Sequence, residues 1–186
     1  MSATVTTATS PLTGTWAVDP AHSTVEFSVK HLGIATVKGV FREFEGSLVI
    51  GEDLASASAA GIVKVASVDT NEAQRDEHLR SPDFFDAATY PELTFASTAI
   101  RPVDDDVFEI DGEITLHGVT RPITLTGEIQ GLEQDPWGNE RIGLEVTGQL
   151  KRGEFGMTFN QALGSGNMLV SDKVKLSLDI SAVKQA

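Results

Sequence analysis

Hydrophobic and polar residues alternate along most of this chain. In the segment STVEFSVK, Val25, Phe27 and Val29 fall on one side, and the polar residues between them fall on the other. Alternation of this kind is typical of a β-strand with one buried face. The pattern predicts further strands, one that starts at Trp16 and others at residues 44–50, 60–68, 92–100, 107–116, 122–130, 142–150 and 174–180.

Turn-forming residues separate these segments. In LHGVT, Gly118 supplies the positive φ that a tight hairpin needs, and Pro122 falls at the start of the next strand. About eight or nine short strands, each with one polar face, predict an all-β domain that is either an antiparallel sandwich or a closed barrel. The period of the pattern does not choose between these two.

Signals for a helix are strongest in one stretch, DTNEAQRDEHLRSPDFF. Its first part predicts a helix with Asp69 or Thr70 as the N-cap. Its second part predicts another short helix, with Ser81 as the cap and Pro82 at the first helical position. A weaker helix signal lies in LKRGEFGM. We expect the charged first part to be exposed and the aromatic second part to form a lid over one end of the domain.

Composition restricts the classes of function. A chain of 186 residues suits one domain, and its net charge of -13 argues against nucleic acid as a partner. It has no cysteine, which excludes disulfides and thiolate chemistry. Neither a secretory signal nor an apolar run long enough for stable membrane insertion is present. The expectation is a cytoplasmic protein with a disordered leader at residues 1–13 and one domain at residues 14–186.

Four longer motifs resemble the YceI-like family. They occur in the order DPAHSTVEFSVKHLGIATVKGVFREFEG, SVDTNEAQRDEHLRSPDFFDAATYPELTFAST, IDGEITLHGVTRPITL and DPWGNERIGLEVTG. The resemblance implies a single antiparallel, lipocalin-like β-barrel of about eight strands with one or two short helices as a lid. It also implies an elongated apolar interior that binds polyisoprenoids or other long-chain lipids. Many members are periplasmic, and this sequence differs from them in lacking a signal.

The expected ligand site is the interior of the barrel. A barrel of about eight strands can hold one small or linear ligand if side chains do not fill it. Small residues such as Ala59 and Gly61 would leave space, and large apolar residues would line it. The alternative is that all these side chains pack a dry core. The candidate lining residues are Phe27, Val29, Ile34, Phe41, Phe84, Phe85 and Phe95.

Three histidines and one carboxylate form a second candidate set: His22, His31, Asp76 and His78. They could cap helix ends, or bind the polar head of a lipid at the mouth of the barrel. Their loose spacing matches no compact metal motif, so neither a metal nor any other cofactor is expected.

Three functions compete at this point. The first is binding of a long-chain isoprenoid or lipid, which needs no acid, base or cofactor. The second is an enzyme for an apolar substrate, with one of the histidines as general base and Asp76 orienting it. The third is an interaction protein with a solid barrel. A monomer and a homodimer both stay open.

Overall fold

The structure, a computed structural model, describes residues 10–186. Within that range the chain forms eleven β-strands and one α-helix, α1 (Ala73–Arg80). The strands are β1 (Gly14–Val18), β2 (Thr24–His31), β3 (Ala35–Phe41), β4 (Phe44–Ile50), β5 (Ser58–Lys64), β6 (Val68–Asp69), β7 (Glu92–Pro102), β8 (Val107–Leu116), β9 (Val119–Gln134), β10 (Glu140–Lys151) and β11 (Val170–Lys184).

The expected leader, residues 1–13, lies for the most part outside the described residues. Residues 10–13 are described and form a turn, in which Leu12 packs against the core. No helix between residues 10 and 186 is long and apolar enough to cross a membrane.

The strands close into one antiparallel barrel. β1 and β2 are two halves of one bent strand, since both pair with β11 on one side, while on the other side β1 pairs with β4 and β2 with β3. β3 and β4 form a second bent strand, and β5 and β6 a third. Counting each bent strand once gives a closed barrel of eight strands. The barrel is therefore confirmed.

Alternate residues of the strands point inwards and form the core. At one end, Trp16 is fully buried, and its Nε1 donates a hydrogen bond of 2.9 Å to the carbonyl oxygen of Leu12. Near the other end, Phe155 and Met157 pack with Ile114 in a separate apolar cluster. Burial of these apolar side chains is the main favourable term that holds the barrel together.

The strand predicted for residues 60–68 is interrupted. β5 ends at Lys64, and residues 65–67 form a short 3₁₀ turn before β6. The neighbouring strand bends at Arg42 and Glu43, and the turn follows this bend. The Lys64 N–H donates to the Glu43 carbonyl, and the Arg42 N–H donates to the Ser67 carbonyl. The buried positions shift phase at this turn, from Val63 and Val65 to Val68, which the prediction of one continuous strand did not take into account.

The predicted N-cap of α1 is wrong. Glu72 is the N-cap, and its carboxylate accepts a hydrogen bond of 2.6 Å from the Arg75 N–H. Asp69 lies in β6, and Asn71 has a positive φ of 62° that separates β6 from the helix. Thr70 is held instead by Asp76, which accepts hydrogen bonds from its N–H and its hydroxyl.

The second predicted helix is also wrong. Ser81 ends α1 as its C-cap, and residues 82–85 form turns. Main-chain N–H groups of Phe85, Asp86 and Ala87 donate back to carbonyls at the end of α1 or at Ser81, which folds the segment against the helix. The weaker helix signal in LKRGEFGM corresponds to a short 3₁₀ helix, Arg152–Phe155.

An ion-pair network ties the bend between β1 and β2 to the hairpin of β9 and β10. The Arg141 guanidinium donates to Asp19 at 2.8 Å and to Asp135 at 2.9 Å. Hydrogen bonds from Arg141 and then His22 lower the pKa of Asp19 from 3.8 to about 2. The folded protein thus holds the Asp19 carboxylate ionised more strongly than the unfolded chain does.

This network predicts a loss of stability in acid. Because the folded-state pKa of Asp19 is depressed, its contribution is present above pH 3.8 and is lost as the pH falls towards 2. We expect Asp19→Asn to lower the melting temperature at neutral pH. The difference in melting temperature between the variant and the wild type should become smaller between pH 4 and 2. The control is Asp105→Asn in the exposed β7–β8 turn. A difference that stays constant with pH in the Asp19 variant would contradict the account.

Candidate functional site

The barrel interior contains a cavity of about 210 Å³ with an almost wholly apolar lining. An apolar cavity of about 150 Å³ stays dry and binds a small hydrocarbon. The interior is therefore not packed solid, and its chemistry suits an apolar ligand. The lining includes Phe27, Phe41, Phe95, Ile110, Leu125 and Leu144.

Small residues on two neighbouring strands help to make this space. Gly46 of β4 lies directly opposite Gly61 of β5, and Ala59 follows on the same face. A Cβ placed on Gly61 would meet only the Glu45 carbonyl oxygen within 4 Å, at 3.4 Å. The missing side chains leave backbone as the wall of the cavity here.

Glycines elsewhere in the barrel receive aromatic rings from an adjacent strand. Phe27 is directly opposite Gly39, and Phe108 is directly opposite Gly127. A Cβ on either glycine would lie about 2.5 Å from the ring opposite: 2.4 Å for Gly39 and 2.5 Å for Gly127. The rings therefore lie against the wall over these glycines, which leaves the centre of the barrel open. Sequence reasoning missed these pairs because a glycine reveals its partner only once the register of the strands is known.

Phe84 and Phe85 point in opposite directions. The Phe85 ring lies 6.4 Å from the Phe27 ring and 5.7 Å from the Phe41 ring, measured between centroids. Phe84 is buried between His78 and Phe159, at 5.0 and 5.3 Å. Neither borders the cavity directly. Phe85 covers two lining residues of the cavity, whereas Phe84 packs the segment against the chain around residue 159.

Two further predicted lining residues, Val29 and Ile34, lie away from the cavity. β2 and β3 continue past the lid, so Ile34 sits in their connecting turn with 79% of its surface exposed. Val29 is half-buried and lies opposite Val37 and Val174. Both residues follow the apolar pattern of the hairpin, but the hairpin has left the barrel interior at this point.

The histidines and Asp76 do not form one site. His22 is exposed and lies 2.8 Å from Asp19, and His78 lies 2.8 Å from Asp83. His31 is at the end of β2. None of the four candidates borders the cavity.

Asp76 is buried, and its carboxylate accepts hydrogen bonds from the N–H and the hydroxyl of Thr70, at 2.8 and 2.6 Å. This bonding holds the loop before α1. Across residues 10–186, no three or more His, Asp or Glu side chains gather in a group that could hold a metal ion.

Comparison with known proteins places this barrel in a family. The YceI-like domain matches residues 16–182. Protein YceI of Escherichia coli O157:H7 is 38% identical over 165 residues, which are 88% of this chain and 83% of that protein. Protein YceI of Salmonella heidelberg (strain SL476) has the same identity over the same length.

Solved structures have the same fold. The Campylobacter jejuni YCEI protein is 31% identical with a TM-score of 0.73, covering 84% of this chain and 90% of that one. Burkholderia cenocepacia BcnA is 24% identical with a TM-score of 0.78, covering 88% and 98%. A polyisoprenoid binding domain from Saccharophagus degradans is 17% identical with a TM-score of 0.71, covering 91% and 98%. The match over nearly the whole barrel, in sequence and in fold, means that this chain belongs to the YceI-like family.

Proposed function

We propose that the protein binds a long-chain apolar molecule, a polyisoprenoid or a related lipid, inside the barrel. The observation that carries the proposal is the apolar cavity of about 210 Å³ inside the barrel. Each methylene group moved from water into such a site contributes ~0.8 kcal/mol, so a chain of about ten carbons can offset the cost of being ordered. The structural neighbour from Saccharophagus degradans, described as a polyisoprenoid binding domain, supports the same ligand class.

The two ends of the barrel suggest the route of entry. Trp16 closes one end, where it is fully buried and hydrogen-bonded to the preceding turn. The other end is covered by Phe85 and α1, which are held by short turns and one helix of eight residues. Phe85 is only half-buried, so its displacement exposes less additional apolar surface than displacement of Trp16 would. We therefore place entry and release of the ligand beside Phe85.

The direct test is identification of the bound molecule. The purified protein is extracted with organic solvent and the extract is analysed by mass spectrometry. The stripped protein is then titrated with a fluorescent long-chain probe in competition with unlabelled polyisoprenoid. We expect an apolar chain in the extract and displacement of the probe at a ratio of one ligand per chain. An extract without apolar molecules, together with no saturable binding of the probe, would contradict the proposal.

Gly61→Val provides a test of the cavity itself. Valine favours strands, and its side chain would enter the cavity with only one close backbone neighbour. The displaced volume removes contacts with about two methylene groups of the ligand, so we expect affinity to fall about tenfold or more. The melting temperature of the variant should not fall.

Ala60→Val is the matched control, because Ala60 is the next residue of β5 and its side chain is exposed on the outer face of the barrel. It should keep the affinity of the wild type. Equal affinities for the two variants would show that the ligand binds elsewhere.

Phe85→Ala tests the lid. Truncation of a fully buried Phe costs ~3–5 kcal/mol of stability, and Phe85 is only half-buried, so the variant should stay folded. Loss of its contacts with Phe27 and Phe41 should raise the off-rate of the fluorescent probe about tenfold or more. A tenfold rise corresponds to an activation free energy for release that is lower by ~1.4 kcal/mol.

Phe84→Ala is the control for the lid. It removes a neighbouring ring of the same size that packs against Phe159 and His78, away from the lining residues. The melting temperature should fall with little change in off-rate. If the off-rate rises equally in both variants, the effect comes from general destabilisation of the segment and not from the contacts of Phe85 with Phe27 and Phe41.

A further inference from the structure

Lysines are concentrated on one outer wall of the barrel. Of the seven lysines in the chain, six lie on the adjacent strands β10, β11, β2 and β3, and the five other than Lys184 are exposed. This is unexpected in a chain with a net charge of -13. We call this wall the lysine face. Its members are Lys30, Lys38, Lys151, Lys173 and Lys175.

Folding stability does not account for the lysine face. Lys151 and Lys173 are directly opposite each other on β10 and β11. Like charges in this position repel each other and destabilise a sheet. Within residues 10–186 only Lys38 of the five makes an ion pair, at 3.3 Å from Glu26. The other two lysines of the chain, Lys64 and Lys184, are both paired with carboxylates.

Few carboxylates offset this charge locally. Among the five lysines the acidic side chains are Glu26, Glu154 and Asp172, and Asp172 accepts a hydrogen bond from the Gly153 N–H. Two more exposed carboxylates, Glu145 and Asp179, lie opposite each other on the same wall, and Asp179 is four residues beyond Lys175 along β11. Helix α1, in which two arginines balance two carboxylates, lies beyond β3 on the side of β6. The lysine face is therefore a basic surface on an acidic protein.

Exposed apolar residues stand next to the lysine face. Ile34, in the turn between β2 and β3, is 79% exposed, and Met168, in the loop before β11, is 46% exposed. The two segments are joined, since the Leu32 N–H donates to the Leu169 carbonyl at 3.0 Å and the Asn167 amide donates to the Leu32 carbonyl. We call Ile34 and Met168 the apolar tip.

The apolar tip rests on a rigid support. The buried guanidinium of Arg152 donates to the carbonyl oxygens of Met157, Phe159, Val170 and Ser171. These bonds hold both ends of the loop that contains Met168. The exposure of the tip is thus a feature of a fixed surface.

We propose that the lysine face and the apolar tip dock the protein onto an anionic lipid surface. Basic side chains beside exposed apolar residues are the combination that binds such surfaces, because the lysines meet the negative headgroups and the apolar groups enter the boundary of the acyl chains. Salt at physiological strength screens charges over about 8 Å, so the acidic remainder of the protein opposes the contact only weakly.

The docked orientation also has a consequence for ligand exchange. The hairpin of β2 and β3 extends from the barrel on the same side as Phe85, whose ring packs on Phe27 and Phe41 from those two strands. Docking by the tip brings the lid end close to the lipid surface. The docking proposal goes beyond the proposed function, because it concerns a contact that the ligand-free protein makes by itself.

The test is flotation of the stripped protein with vesicles of phosphatidylcholine, with and without phosphatidylglycerol. We expect binding to the vesicles that contain phosphatidylglycerol, and its loss in high salt. At ~1 kcal/mol for each lysine, the pair Lys151→Gln and Lys173→Gln should weaken binding about 30-fold. The matched control, Lys64→Gln with Lys184→Gln, removes the same charge from outside the face and should bind nearly as the wild type does.

A second pair of variants separates the contribution of the apolar tip to vesicle binding from the contribution of the lysines. Ile34→Ser should weaken vesicle binding, whereas Val103→Ser, at another exposed apolar residue, should not. The proposal would be overturned if both double lysine variants lost vesicle binding equally. It would also be overturned if the wild type bound equally well to vesicles with and without phosphatidylglycerol. Binding to heparin without binding to vesicles would overturn it too, and would assign the face to a soluble polyanion. Titration of the same variants with the fluorescent probe shows separately whether the ligand cavity is intact.

Discussion

The contact of aromatic rings with glycines on the neighbouring strand is the constraint on which the rest of this structure depends. A closed barrel needs apolar residues at its inward positions, and large side chains at every such position would fill it. Phe27 and Phe108 avoid this because each lies over a glycine on the next strand, Gly39 and Gly127. The barrel gains apolar burial at its wall and keeps a cavity at its centre. Stability and ligand capacity thus come from the same pairs of residues.

The alternating pattern was enough to predict the barrel strands, because a period of two reports directly which face of a strand is buried. At the bends near Arg42 and Lys64 the inward positions shift phase, since Phe44 follows Phe41 by three residues and Val68 follows Val65 by three, and the pattern alone did not predict one bent strand through each shift. The site was harder to predict, because the pattern does not show where a strand leaves the barrel. Phe27 and Phe41 line the cavity, but Ile34 follows the same pattern on a hairpin that has left the barrel. The histidines and Asp76 do not come together, because the sequence alone does not determine which carboxylate each histidine meets.

The two ends of the barrel differ in ways that fit a protein exchanging an apolar ligand. One end is closed by a fully buried Trp16. The other is covered by the half-buried Phe85, and beside it stand the lysine face and the apolar tip. Evenly distributed charge would serve solubility equally well. When the protein is docked as proposed, this asymmetry orients it so that the Trp16 end points away from the lipid surface and the lid end faces it.

The central claim is that a long apolar chain occupies the space beside Gly46 and Gly61. The most direct measurement is the anomalous signal from a crystal of the protein soaked with a long-chain alkyl compound that carries bromine at its apolar end. The account predicts one bromine site inside the barrel, within contact of Phe95 and Gly61, which both border the cavity. A bromine site on the outer wall, with an interior that stays empty at saturating ligand, would contradict it.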